Sequence, residues 1–123
     1  MTKTVLVAVH DEPIRDLIHL TLGDRAWRVV ESVDDESTMR MIASTLPDLL
    51  LIDADLPESG GIRIANSVKA QPETARARIV LMHDKIEPVD HEAARAAGVD
   101  EFLAKPFTAF ALLNKVKTML EVG

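Results

Sequence analysis

The stretch "DLLLIDADLP" (48–57) decides how this chain folds. Leu49, Leu50, Leu51 and Ile52 form an unbroken apolar run that ends at Asp53, and Asp55 follows two residues on. An apolar run that does not alternate with polar residues is expected of a strand whose sheet is covered on both faces. The strand therefore predicts a buried parallel sheet and carries two carboxylates to one of its edges. "RIVLMH" (78–83) repeats the pattern and ends at His83 and Asp84.

Outward from these two runs, "TVLVAV" (4–9), "WRVVES" (27–32) and "EFLA" (101–104) read as the remaining strands, with Trp27 opening the second and packing at the sheet edge. Helical periodicity fills the gaps. Ile14, Leu17, Ile18 and Leu22 share one face of 13–23, and Met39, Ile42, Ala43 and Leu46 share one face of 35–46. Shorter helices are expected over 61–70 and 89–97, and a longer one over 108–121 with Leu112, Leu113, Val116, Met119 and Leu120. Pro13 suits a first helical turn, Asp34 and Thr108 suit N-caps, and Pro47 stops the second helix. His19 and His91 are expected on helix surfaces, and the methionines in the core or on helix faces. Five strand–helix units with short connections predict a parallel sheet with helices on both faces. Ligands in such sheets bind at the carboxyl ends of the strands, near the reversal of strand order.

The bulk numbers narrow the field. With 123 residues and 47% apolar content, one domain over 1–123 is expected, with enough core to fold. Three Phe, one Trp and no Tyr leave little for a base-stacking surface. A formal charge of −6 opposes binding to nucleic-acid phosphates and to anionic membranes, so no direct nucleic-acid or membrane contact is expected. The absence of cysteine excludes disulfides, thiolate metal sites and thiol nucleophiles. "MTKTVLVAVHDEP" turns acidic too early for a secretion signal, so the expected location is cytoplasmic.

Ionisable residues collect at the strand ends. The first strand delivers His10, Asp11 and Glu12, the third Asp53 and Asp55, the fourth His83 and Asp84, and the fifth Lys105 followed by Pro106. Crowded carboxylates repel unless a cation or lysine neutralises them, and oxygen ligands suit Mg²⁺. Aspartates, Mg²⁺ and a lysine are together the parts of a phosphoryl-transfer site.

At these residues the chain resembles the receiver domains of two-component response regulators. The resemblance rests on "HDEP" (10–13), "LLLIDADLPESGG" (49–61) and "AAGVDEFLAKPF" (96–107), and it runs from end to end. It implies an α/β, (βα)₅ flavodoxin-like fold, a doubly wound five-stranded parallel sheet. It also implies a signalling role rather than an enzyme: transfer of a phosphoryl group to an aspartate from a partner histidine kinase or phosphotransfer protein, with Mg²⁺, in a phosphorelay. Asp53 matches the phospho-acceptor, Asp11 the direct Mg²⁺ ligand, and Asp55 the residue whose backbone carbonyl completes the metal site. Lys105 matches the lysine that pairs with the acceptor or its phosphoryl oxygens, Pro106 a proline usually preceded by a cis peptide, Phe102 the aromatic switch, and Gly61 the glycine after the acceptor loop. Family analogy places the output surface on the fourth helix, fifth strand and fifth helix, where an effector protein or domain, or a second copy in a homodimer, would dock.

Three positions depart from the family pattern. His10 replaces the first of two acids, the one that holds the metal through water. His83 replaces the switch Thr or Ser, and Asp84 follows it where a small residue is usual. If His10 and His83 approach each other, they and Asp11 and Asp53 form an N/O site for Zn²⁺, Mn²⁺ or Ni²⁺. The alternative to a phosphorylated receiver is a pseudo-receiver, the same fold used as a phosphorylation-independent interaction or dimerisation module. A haloacid-dehalogenase-type phosphatase shares a D-x-D start, but Pro57 stands at its Thr or Val position and no acidic pair follows Lys105. A flavin or nucleotide binder would need a glycine-rich first turn, which is absent.

Overall fold

A computed structural model describes residues 2–23, 25–58, 61–85 and 89–121. Ser59 and Gly60 of the "LLLIDADLPESGG" stretch lie outside the described residues. The elements alternate along the chain as β1 (Thr4–Ala8), α1 (Glu12–Leu22), β2 (Arg28–Ser32), α2 (Asp35–Thr45), β3 (Leu49–Asp53), α3 (Ile62–Ala70), β4 (Arg78–Asp84), α4 (His91–Ala96), β5 (Glu101–Lys105) and α5 (Ala109–Glu121). Every strand pairs in parallel, in the order β2-β1-β3-β4-β5. The order reverses at β1 and β3, whose carboxyl ends therefore flank the crevice where such sheets take ligands.

Strand periodicity sorts the core into two layers. Leu6, Ala8, Leu50, Ile52, Ile79 and Leu81 pack against α2, α3 and α4 through Ile42, Ile64, Val68 and Ala94. The residues between them, Val5, Val7, Leu49, Leu51, Val80, Met82 and Leu103, pack against α1 and α5 through Ile18, Leu22, Leu112, Val116 and Met119. β3 is buried at all five positions, as the unbroken apolar run requires.

Local signals set the helix ends. Asp11 Oδ1 accepts from Ile14 N to start α1, and a capping box between Asp34 and Ser37 starts α2. Asp90 and Thr108 accept from Ala93 N and Ala111 N, each at 3.0 Å. α2 ends with Leu46 in the left-handed region just before Pro47. Gly61 opens α3 at φ 82°, and a Cβ there would stand 2.8 Å from the Asp53 carbonyl oxygen. At the opposite edge of the sheet, Asp48 and Asp100 accept from Thr4 N and Ile79 N, both at 2.8 Å, and so serve the chain entering β1 and β4.

Two expectations shift in detail. Trp27 precedes β2 rather than opening it, donates from Nε1 to the Leu22 carbonyl and packs against the α1/α5 layer. On α2 the expected apolar face is only partly covered: Ile42 is buried, while Met39 and Leu46 are exposed along a groove of about 450 Å³ between α2 and α3. The fully buried Leu51 belongs to the most enclosed strand. Leu51→Ala should lower unfolding stability by about 2–5 kcal/mol in urea titrations, through lost burial and an unfilled cavity.

Candidate functional site

The same periodicity sorts the polar residues at the strand ends. Asp53, Asp84 and Lys105 alternate with Ile52, His83 and Ala104, so they share a sheet face with Leu51, Met82 and Leu103, the α1/α5 side. His83 and Phe102 share the other face with Leu81, the α2–α4 side.

On the α1/α5 side the chain builds a cleft of about 460 Å³. Asp11, Asp55, Asp84 and Lys105 line it, with Ile14 and Leu17 of α1 and Pro106 and Phe107 forming its apolar flank. Asp53 is 3% exposed at the end of β3. Lys105 Nζ donates to both of its carboxylate oxygens, at 2.8 and 2.9 Å. The Asp55 backbone N–H donates to Asp53 Oδ1 at 2.9 Å, and the Asp55 carboxylate reaches Lys105 Nζ at 3.4 Å. The peptide between Lys105 and Pro106 is cis. Burial draws the Lys105 ammonium toward neutrality, but the hydrogen bond and charge of Asp53, joined by Asp55, outweigh it and hold the lysine above its ordinary 10.5. The contribution from the raised Lys105 is thus fully present below about 10.5 and is lost as pH climbs through the raised value.

Oxygen donors dominate the cleft, which suits a hard divalent ion. Mg²⁺ takes one or two carboxylates and keeps waters, so it does not need a protein-only cage. Asp11 and Asp53 with the Asp55 carbonyl fit that donor set, and the Asp55 side chain is engaged with Lys105 instead. Among the described residues no three His, Asp or Glu side chains converge on one metal position.

The conditional N/O site around His10 and His83 does not assemble among the described residues. Neither lines the cleft. His10 is exposed, and its Nδ1 meets the Val33 carbonyl at 3.2 Å, beside α2. His83 emerges on the α4 side of β4, where its ring lies edge-on to Phe102 (centroids 6.1 Å apart, 73°) and to His91 (5.6 Å, 79°). Strand β3 separates their strands, so His10, His83, Asp11 and Asp53 do not form a joint N/O site. His91, read from sequence as a helix-surface residue, is exposed yet stacks on Phe102 at 4.1 Å, and the Arg95 guanidinium lies 5.0 Å from the same ring. Helical periodicity carries no sign of that cluster, because it joins the start of α4 to β4 and β5 through space.

Residues 5–117 match the response regulator receiver domain as a family. The chain belongs to that family. The Escherichia coli (strain K12) phosphate regulon transcriptional regulatory protein PhoB is 27% identical over 120 residues, which are 98% of this chain and 52% of PhoB. Its Pseudomonas aeruginosa counterpart is 28% identical over 118 residues, 96% of this chain and 52% of that protein. The receiver thus spans about half the length of these curated relatives. The chemotaxis response regulator CheY4 of Vibrio cholerae shares the fold, with a TM-score of 0.89 at 22% identity, covering 98% of this chain and 100% of that one. Receivers of this family are signalling modules of two-component systems, and they generally bind Mg²⁺ at the phosphorylation site. Among the described residues of this receiver, no helix is long and apolar enough to cross a membrane.

The Asp53–Lys105 pair makes the candidate site testable by stability alone. Lys105→Met leaves a nearly buried carboxylate without its cation and should cost on the order of 2 kcal/mol in metal-free urea unfolding. Asp53→Asn in the same chain should return at least half of that loss. Strictly additive effects of the two substitutions would show that the residues are not coupled.

Proposed function

We propose that Asp53 accepts a phosphoryl group from the phosphohistidine of a partner kinase or phosphotransfer protein, and that the α4–β5–α5 face passes the change to an effector. The observation that carries this reading is the two-pronged contact of Lys105 Nζ with Asp53, at 2.8 and 2.9 Å, beneath an open acidic cleft. A carboxylate oxygen of Asp53 attacks phosphorus. The P–O bond forms as the P–N bond of the donor breaks, and the departing imidazole keeps that electron pair and takes a proton from solvent. Lys105 then transfers its hydrogen bonds from the carboxylate to the phosphoryl oxygens. Asp11, Asp53 and the Asp55 carbonyl would hold Mg²⁺, which supplies charge neutralisation at those oxygens. Asp84 adds a negative charge on the cleft wall and slows approach of an anionic donor.

A second reading is supported by the direction of His83. Its ring faces Phe102 and His91 rather than the cleft, so no β4 side chain equivalent to the switch hydroxyl meets the new phosphoryl group. On that reading the domain is a pseudo-receiver with a fixed α4–β5 surface.

Acetyl phosphate with Mg²⁺ separates the two. The phospho-acceptor reading predicts a mass gain of one phosphoryl group, lost in Asp53→Ala and in the presence of chelator. Asp84→Ala should raise the initial rate several-fold. Unchanged mass under saturating donor and Mg²⁺ leaves the pseudo-receiver reading standing alone.

A further inference from the structure

His83 and His91 come from different elements, the end of β4 and the first turn of α4, and their ring centroids stand 5.6 Å apart. Each Nδ1 sits on a backbone carbonyl: His83 on Asp84 O at 3.2 Å, His91 on Val89 O at 2.9 Å. A carbonyl oxygen only accepts, so Nδ1 is the protonated nitrogen of both neutral rings, and each Nε2 carries a lone pair. An imidazole whose Nδ1–H is anchored on a carbonyl has the tautomer and orientation of an Nε2 metal ligand. Two such rings in an edge-to-face arrangement, one half-buried and one exposed, present borderline nitrogen donors near the surface.

We propose that His83 and His91 form a two-imidazole site for a borderline divalent transition ion, Cu²⁺, Ni²⁺ or Zn²⁺, through their Nε2 atoms. No third His, Asp or Glu side chain among the described residues joins them, so those residues supply two ligands. Arg95 is the nearby cation. Its guanidinium lies over Phe102 and within 4.0 Å of Glu101, which offsets part of its charge. The acidic cleft offers oxygen donors on the opposite face of the sheet, so the two cation chemistries are kept apart: hard ions to the carboxylates, borderline ions to the imidazoles. An ion at His83 and His91 would tie the start of α4 to β4 directly beside Phe102, which contacts both rings. This site does not depend on phosphorylation of Asp53.

Calorimetric titration of the untagged chain with Ni²⁺ or Cu²⁺, in excess Mg²⁺ to saturate the carboxylate cleft, tests the proposal. One ion per chain is expected, with Cu²⁺ tighter than Ni²⁺ and Zn²⁺. His83→Gln and His91→Gln should each weaken binding at least tenfold, while His10→Gln and His19→Gln leave it unchanged. Amide NMR shifts should centre on Phe102 and the first turn of α4. His91 is exposed, so its variant remains informative even if His83→Gln unfolds. Absence of saturable binding, or binding that survives His91→Gln, overturns the proposal.

Discussion

The ion pair between Asp53 and Lys105 is the contact on which the site depends. It joins the central strand to the sheet's last strand across β4, and it holds one charged group that is nearly buried against another. Neither charge is tolerable there alone. A carboxylate 3% exposed at the end of an apolar strand is costly without a cation beside it, and burial opposes the charge of the lysine. The Asp55 backbone N–H adds a hydrogen bond to Asp53 Oδ1.

That pair exists because the fold alternates. Parallel strands send successive side chains to opposite faces, so Asp53, Asp84 and Lys105 reach the α1/α5 side together although they are far apart in sequence. The register pairs Asp84 with Lys105 and Asp53 with Met82, which brings three strand ends level at one rim. Asp11 arrives by another route, as the N-cap of α1, so one carboxylate both starts the helix and lines the cleft. The opposite rim uses acids structurally: Asp48 and Asp100 satisfy backbone N–H groups and pair with Arg76 and Lys69.

Most of this was legible in the sequence. Unbroken apolar runs identified buried parallel strands, and the caps at Asp34 and Thr108 marked helix starts within a residue. The pairing of Asp53 with Lys105 and the tight glycine at 61 came from the resemblance to receiver domains, and the structure brings these residues together. What failed was the grouping of the histidines. Listing strand-end residues by rim left open a joint pocket for His10, His83 and the aspartates, but the rim has two faces. Counting by twos from Leu81 already assigns His83 to the α4 side, away from Asp84. His91 was not recoverable in that way. Its contact with Phe102 depends on where the chain between β4 and α4 sets the helix down, and no local pattern encodes that distance.

On the proposed reading, Lys105 guards a phospho-acceptor at Asp53 while His83 belongs to a separate cluster around Phe102. A crystal structure with Mg²⁺ and beryllofluoride tests it most directly. Beryllofluoride is expected on an Asp53 carboxylate oxygen, with Lys105 Nζ moved onto a fluoride and the His83 ring still packed against Phe102 and His91. Asp53 without beryllofluoride and still held by Lys105, or His83 turned into the cleft to donate to a fluoride, would contradict it.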